Sequence, residues 1–228
     1  DLAALERAIG RTSKAAKTGD KKVLRELEIL KTTHEALSND TQIAALLTED
    51  EVIHALKPLC LLTAKPVVYV ANVAENELQG NEKVEALRKH AAEAVAQLVV
   101  VSAAIEQEIS EIDPSDRPSF LEDLGLDESG LDKVIRAGYD LLGLQTFFTA
   151  GPKEVRAWTV RRGATAPQAA GEIHTDFERG FIRAETIAYD DFIGLNGEQG
   201  AREAGRLRLE GKEYVLSDGD IMHFRFNV

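Results

Sequence analysis

The 228-residue sequence holds one cysteine, one methionine and one tryptophan, and aromatic residues make up 6% of it. A single cysteine, Cys60, excludes an internal disulfide and any metal site built from several thiolates, and it fits a reducing compartment. Flanked by Leu59, Leu61 and Leu62, it reads as a buried apolar residue rather than a reactive thiol. Positive charge is also short: 27 Lys and Arg against 39 Asp and Glu leave a formal net charge of −12. Generic attraction to nucleic acid or to an anionic membrane is therefore not expected as the main activity. Long apolar runs are missing too; stretches such as 66–70 and 98–101 fall far below a membrane span, so no membrane partner is expected. Asp1 opens an amphipathic pattern without the apolar core of a secretory signal, and the expected location is the cytoplasm. What is present, 44% hydrophobic residues, is an ordinary globular composition with room for one large domain or two to three small ones.

Leu2, Leu5, Ile9, Thr12 and Ala16 step by three and four, which draws one stripe along a helix over 1–17. Thr18-Gly19-Asp20 breaks it. A second stripe, Val23, Leu27, Leu30, His34 and Leu37, predicts a helix over 21–37, and the pair predicts an antiparallel hairpin with a short seam. His34 on that seam reads as a packed histidine. Thr48 with Glu51 reads as a capping box for a short helix carrying Val52, Ile53 and Leu56, interrupted by Pro58.

Lys65-Pro66 introduces Val67-Val68-Tyr69-Val70, a β-branched run that suits a strand buried on both faces of a parallel sheet. A helix over 81–94, with Val84, Leu87, Ala91 and Ala94 on one face, leads to a second such strand at 97–101. Strand, helix and strand make a βαβ unit, whose ligands bind where the carboxyl ends of the strands emerge. Those ends are Asn72-Val73-Ala74-Glu75 and Ser102-Ala103-Ala104. Taken alone, Asn72 and Glu75 also fit a strand end that merely caps the next segment.

In strand context the two clusters resemble the fourth and fifth nucleotide motifs of a P-loop GTPase of the Obg class, in the variant form of the YchF family. Ordinary members carry Asn-Lys-x-Asp, whose Asp accepts hydrogen bonds from guanine N1–H and N2–H2. Glu75 is one methylene longer, and adenine presents an acceptor at N1 where guanine presents a donor. The resemblance therefore implies adenine in preference to guanine. It places Asn72 at the purine edge and Val73 near the ring face, and it has Ser102-Ala103 present a backbone N–H to the base. The family more often has Lys where this chain has Ala104.

From Ala104 to Asp132 ten acidic residues face one base, Arg117, a net −9 of the total −12. Such a run reads as a solvated helical face. Ser129 with Asp132 starts a helix whose apolar face is Leu131, Val134, Ile135, Tyr139 and Leu142. From Leu144 short strands and glycine turns take over. Segments 145–150 and 155–160 flank Gly151-Pro152-Lys153-Glu154, and 214–216 and 221–226 flank Ser217-Asp218-Gly219-Asp220, two hairpin signals. Brief helices are expected at 167–173 and 199–205, and a strand at 181–189. The expected arrangement is a small mixed sheet with a helix across it. Neither His174, Thr175 and Asp176 nor Ser217 with His223 shows a nucleophile, base and orienting group, so hydrolysis is not expected there. Arg156, Arg161 and Arg162 with Trp158 suit an RNA contact as well as a plain solvated face.

The wording of this segment, Phe147-Phe148-Thr149-Ala150-Gly151, His174-Thr175-Asp176-Phe177-Glu178-Arg179-Gly180 and Asp218-Gly219-Asp220-Ile221-Met222-His223-Phe224 among it, resembles the C-terminal TGS domain of the same family. The resemblance implies an α+β multi-domain chain: a helical hairpin (1–58), the C-terminal part of an α/β P-loop NTPase domain with its acidic connector (59–143), and a β-grasp TGS domain (144–228). It implies ATP and Mg2+ as ligands of the full-length protein, hydrolysis of ATP, and a ribosome partner in translation-linked or stress-linked regulation. The spacing Gly-x-x-x-x-Gly-Lys-Ser/Thr, which cradles phosphates, does not occur in these 228 residues, so no catalytic residue is assigned and the chain alone is expected to be inactive. The alternative from a different class is a non-enzymatic module that binds a ribosome, RNA or protein.

Overall fold

Helix α1 (Leu2–Ala15) and helix α2 (Lys21–Ser38) form where the three-four spacing predicts them. Gly19 ends the turn between them in the left-handed region at φ 76°, a conformation glycine adopts without a Cβ penalty, and the Asp20 carboxylate caps α2 by accepting the Lys22 N–H. Residues 1–40, 43, 49–151 and 154–227 are described in this computed structural model. They divide into two units, Asp1–Val134 and Ile135–Val228.

The first unit buries a wider stripe than a two-helix seam. Leu5 and Ala8 of α1 and Ile29 and Leu30 of α2 pack with Ile43, Leu56 and Leu61, while Leu2 is exposed and Leu27 and His34 are only half-buried. The reason is the third partner: helix α3 (Asp50–Leu56) and the turn after it pack on the same core, so the buried face rotates toward them. His34 Nε2 sits 3.6 Å from the Glu6 carboxylate. The expected Thr48 cap lies outside the described residues; the N-cap of α3 is Glu49, without a side-chain bond. Cys60 corrects its expectation, because it is exposed and left-handed at φ 49° after the Lys57–Leu59 turn. That backbone turns its side chain away from the neighbouring leucines.

Strand β1 (Val68–Asn72), helix α4 (Glu82–Glu93) and strand β2 (Gln97–Val101) form the expected βαβ unit. The strands are parallel, in register from Val68↔Gln97 to Asn72↔Val101. Among the described residues this sheet has two strands, and the valine run is not buried on both faces: Val67, just before β1, is 49% and Val70, within it, 46% exposed. Helices α5 (Ala103–Glu111), α6 (Arg117–Asp123) and α7 (Gly130–Leu142) follow. The apolar face expected of α7 is largely outward, with Leu131, Ile135 and Leu142 exposed, while the small Ala137 is buried.

In the second unit five strands run in the order β4-β3-β7-β5-β6: β3 (Leu144–Ala150), β4 (Val155–Arg161), β5 (Phe181–Ile187), β6 (Arg208–Glu210) and β7 (Ile221–Phe226). β3 and β4 form the expected hairpin. β3 and β7 are parallel at Phe148↔Ile221, and β5 is antiparallel to both β7 and β6. Helix α8 (Ala166–Ile173), started by a Thr165–Gln168 capping box, lays Ala166, Ala169 and Ala170 on Phe147, Ala184, Met222 and Phe224. Helices α9 (Thr175–Arg179), α10 (Tyr189–Gly194) and α11 (Glu198–Glu203) complete the unit.

The second hairpin is not formed. Segment 214–216 pairs with the start of α8 instead, through an isolated bridge of Val215 to Thr165 outside the sheet, and β6 takes the edge beside β5. Asp220 explains the difference. Its buried carboxylate accepts from the Tyr214 hydroxyl at 2.6 Å and the Ser217 N–H at 2.9 Å, with the Arg208 guanidinium at 3.5 Å. An inward carboxylate at the turn folds 214–217 around itself instead of pairing it with β7.

Candidate functional site

Parallel pairing of β1 with β2 brings the two sequence clusters together. Asn72 ends β1 opposite Val101, the last residue of β2, so Asn72-Val73-Ala74-Glu75 and Ser102-Ala103 leave the sheet side by side at its carboxyl edge. Two hydrogen bonds lock the loops: Ala103 N–H donates to Asn72 Oδ1 at 3.0 Å, and Val73 N–H donates to the Val101 carbonyl at 2.9 Å. The Ala103 N–H, one of those the resemblance offers to a base, is thus engaged by Asn72. Ala103 also opens α5, whose first turn places backbone N–H groups at this edge.

The five residues differ in exposure. Asn72, Glu75 and Ala103 are exposed, and Val73 is half-buried. Glu75 begins a short 3-10 turn, Glu75–Glu77, that leads to the Asn81 cap of α4. Ser102 is 1% exposed, and its Oγ has no hydrogen-bond partner among the described residues. A buried hydroxyl without a partner is costly and marks a place where a polar group is expected to arrive or move.

Sequence reasoning missed Glu106. Read as part of a solvated acidic face, its carboxylate instead accepts the Gly130 N–H at 2.6 Å and the Leu131 N–H at 3.0 Å. It thereby caps α7 from one turn inside α5. A Cβ at Gly130 would lie 2.8 Å from Glu106 Oε1 and 2.9 Å from Val101 Cγ1, so only glycine fits this close approach. The pairing is 24 residues apart, and no local pattern announces it. Another acid of the connector, Asp113, has its pKa held below the usual carboxylate range by hydrogen bonds from the Ser115 hydroxyl and N–H.

The residues considered for an RNA contact are divided by the pleat. Arg156 and Trp158 lie on the same face of edge strand β4 as the buried Val160, toward α8, and Arg161 lies on the opposite face. The Arg156 guanidinium covers the Trp158 ring at 4.0 Å, the ring stacks on Phe147, and its Nε1–H donates to Thr149 Oγ1. Arg162 lies past the strand end, paired with Asp140. The four do not form one contact surface. His174 caps α9 by accepting the Asp176 N–H on Nδ1.

Among the described residues no three His, Cys, Asp or Glu side chains are grouped as a metal site. No helix of the described residues is long and apolar enough to cross a membrane.

Comparisons with known proteins agree on one kinship. The family model YchF-GTPase_C, described as a protein of unknown function (DUF933), matches residues 144–227. The chain is 55% identical over 228 residues to a ribosome-binding ATPase YchF of Haemophilus ducreyi, covering 100% of this chain and 63% of that protein. It is 38% identical over 219 residues to an Obg-like ATPase 1 of Rattus norvegicus, covering 93% of this chain and 55% of the relative. A solved Schizosaccharomyces pombe YchF GTPase superposes with a TM-score of 0.85 at 32% identity, covering 99% of this chain and 62% of that one. The chain therefore spans about three-fifths of the length of the curated relatives it matches.

Proposed function

We propose that this chain, which belongs to the YchF family, carries the purine-recognition loops of a ribosome-associated nucleoside triphosphatase that prefers ATP to GTP. The observation that carries the reading is the Asn72–Ala103 hydrogen bond at 3.0 Å across the carboxyl ends of two parallel strands. It sets the carboxamide of Asn72 beside the first turn of α5, one loop away from the Glu75 carboxylate. Asn72 orients the loop and presents its amide to the purine, Val73 lies against the ring, and Glu75 sets the base preference. Residues 59–143 belong to the nucleotide domain, 1–58 to a helical arm and 144–228 to a TGS domain. Phosphate binding, Mg2+ and hydrolysis fall to a P-loop segment, for which the greater length of the relatives leaves room. The relatives named ribosome-binding ATPase support the ribosome as partner, and a protein that works there is cytoplasmic.

Competition of ATP and GTP for the P-loop-bearing protein tests the base reading. ATP is expected to win, and Glu75→Asp to narrow or reverse the preference. A native protein that binds GTP more tightly would overturn the assignment of Glu75.

A second reading concerns this chain by itself, because its sequence has no P-loop spacing. As such it is a non-enzymatic module that docks on a ribosome, and ATP turnover by the 228 residues alone would contradict that. An RNA contact through the C-terminal unit falls on exposed Arg161 and on the Arg156–Trp158 stack, with less from Arg162, which Asp140 already neutralises. Reversing charge at Arg161 is expected to weaken RNA binding and flatten its salt dependence; an unchanged slope removes Arg161 from the contact.

A further inference from the structure

The base loops are held from two sides, and the second side has no role in the reading above. In front, Asn72 Oδ1 takes the Ala103 N–H. Behind, Glu106 lies four residues past Ser102 on α5 and grips the first turn of α7 by two N–H groups. Gly130 seats that turn against the Val101 side chain, and the Val101 carbonyl is the acceptor that holds Val73. One carboxylate therefore ties α5 to the first turn of α7, which rests on Val101, the residue that also holds the loop after β1. A charge-assisted bond to two helix-start donors is stronger than a neutral one, and it lies where the α7 dipole favours a negative charge.

We infer that Glu106 is a positioning residue for purine recognition, holding α5 and the Asn72–Glu75 loop at the separation a base requires, with Gly130 as the seat it acts through. Its acid belongs to the site and not to a solvated connector. The inference rests on the proposed purine site, and it predicts a defect in base binding distinct from a defect in phosphate binding.

The test uses the P-loop-bearing protein with two probes, ATP and tripolyphosphate, the latter lacking a base. Glu106→Ala is expected to weaken ATP about tenfold, the loss of one charged hydrogen-bonded contact, and to leave tripolyphosphate unchanged. Glu106→Gln keeps one acceptor but turns a donor toward the second N–H, and should fall between the two. Gly130→Ala, which pushes Glu106 and Val101 apart, should repeat the Glu106→Ala pattern, and the double variant should be no worse than either single one. Hydrogen exchange on the 228-residue chain reads the clasp without nucleotide: the Gly130 and Leu131 amides should exchange faster in Glu106→Ala. Equal weakening of ATP and tripolyphosphate would reduce Glu106 to a general stabiliser, and unchanged ATP affinity with faster exchange would separate the clasp from the site. Both results overturn the inference, whereas a wild-type protein that binds neither probe overturns the purine reading itself.

Discussion

Strands β1 and β2 are among the most valine-rich segments of the chain, yet Val70 in β1 is 46% exposed, whereas Phe147 in β3 is 0% exposed. Among the described residues the first sheet has two strands, and the second has five strands and an alanine-faced helix laid on one side. Apolar sequence creates a demand for burial, and only neighbours meet it. The same contrast appears in the polar groups. Asp220 in the second unit is buried and has three partners, whereas the Ser102 hydroxyl in the first is buried with none. The contrast is one of position: the unmet hydroxyl of the second unit, Thr186, lies inside its five-stranded sheet, whereas Ser102 lies at the edge where the two candidate loops meet.

Truncation should expose this contrast most strongly at Phe147. Phe147→Ala removes a ring packed on Trp158 and Phe224 and should cost about 4 kcal/mol in urea unfolding of the second unit; a loss near that of an exposed residue would break the comparison. Next, Asp220→Ala leaves the Ser217 N–H and the Tyr214 hydroxyl without their acceptor and should cost about 3 kcal/mol, read from the same curves. A smaller effect is alkaline. Burial, and then the hydrogen bond to Asp220, push the Tyr214 hydroxyl above the usual tyrosine pKa. The folded state therefore holds that proton longer than the unfolded one, so its contribution is full below the ordinary tyrosine pKa and is lost as pH rises through the raised one. Tyr214→Phe should flatten that alkaline decline.

The first unit should answer differently. Ser102→Ala removes an unsatisfied buried hydroxyl and should leave stability unchanged or raise it by about 1 kcal/mol, while purine binding by the P-loop-bearing protein falls. A destabilised variant would show that the hydroxyl has a partner in solution. Val70→Ala should cost less than about 1 kcal/mol, because nearly half of the side chain already meets water. A loss equal to that of Phe147→Ala would mean that β1 is covered in solution.

Much of this was legible from residue order. Three-four spacing drew α1 and α2, alternation and turn residues drew β3 and β4, and valine runs around an amphipathic helix drew the βαβ unit. The two loops of the candidate site were found because parallel strands put their carboxyl ends side by side. What failed, failed for long-range reasons. Leu27 and His34 were expected at the seam beside Leu30, which is buried there, but α3 drew the buried face toward Ile29. Cys60 was read from its leucine neighbours, but a left-handed turn set it outside. Residues 214–216 looked like a strand until Asp220 pulled the turn inward.

The sequence by itself determined the kinds of element, the family likeness, and which residues stand at the ends of β1 and β2, because periodicity and turn chemistry act over a few neighbouring residues. Tertiary structure alone decided that Glu106 is a clasp rather than a solvated charge, that Arg156 and Arg161 face opposite sides of one strand, and that α7 turns Leu131 and Leu142 outward. Each of these depends on a partner found by folding rather than by order: an N–H 24 residues away, the pleat of an edge strand, and a helix face settled by the small residues that pack beneath it.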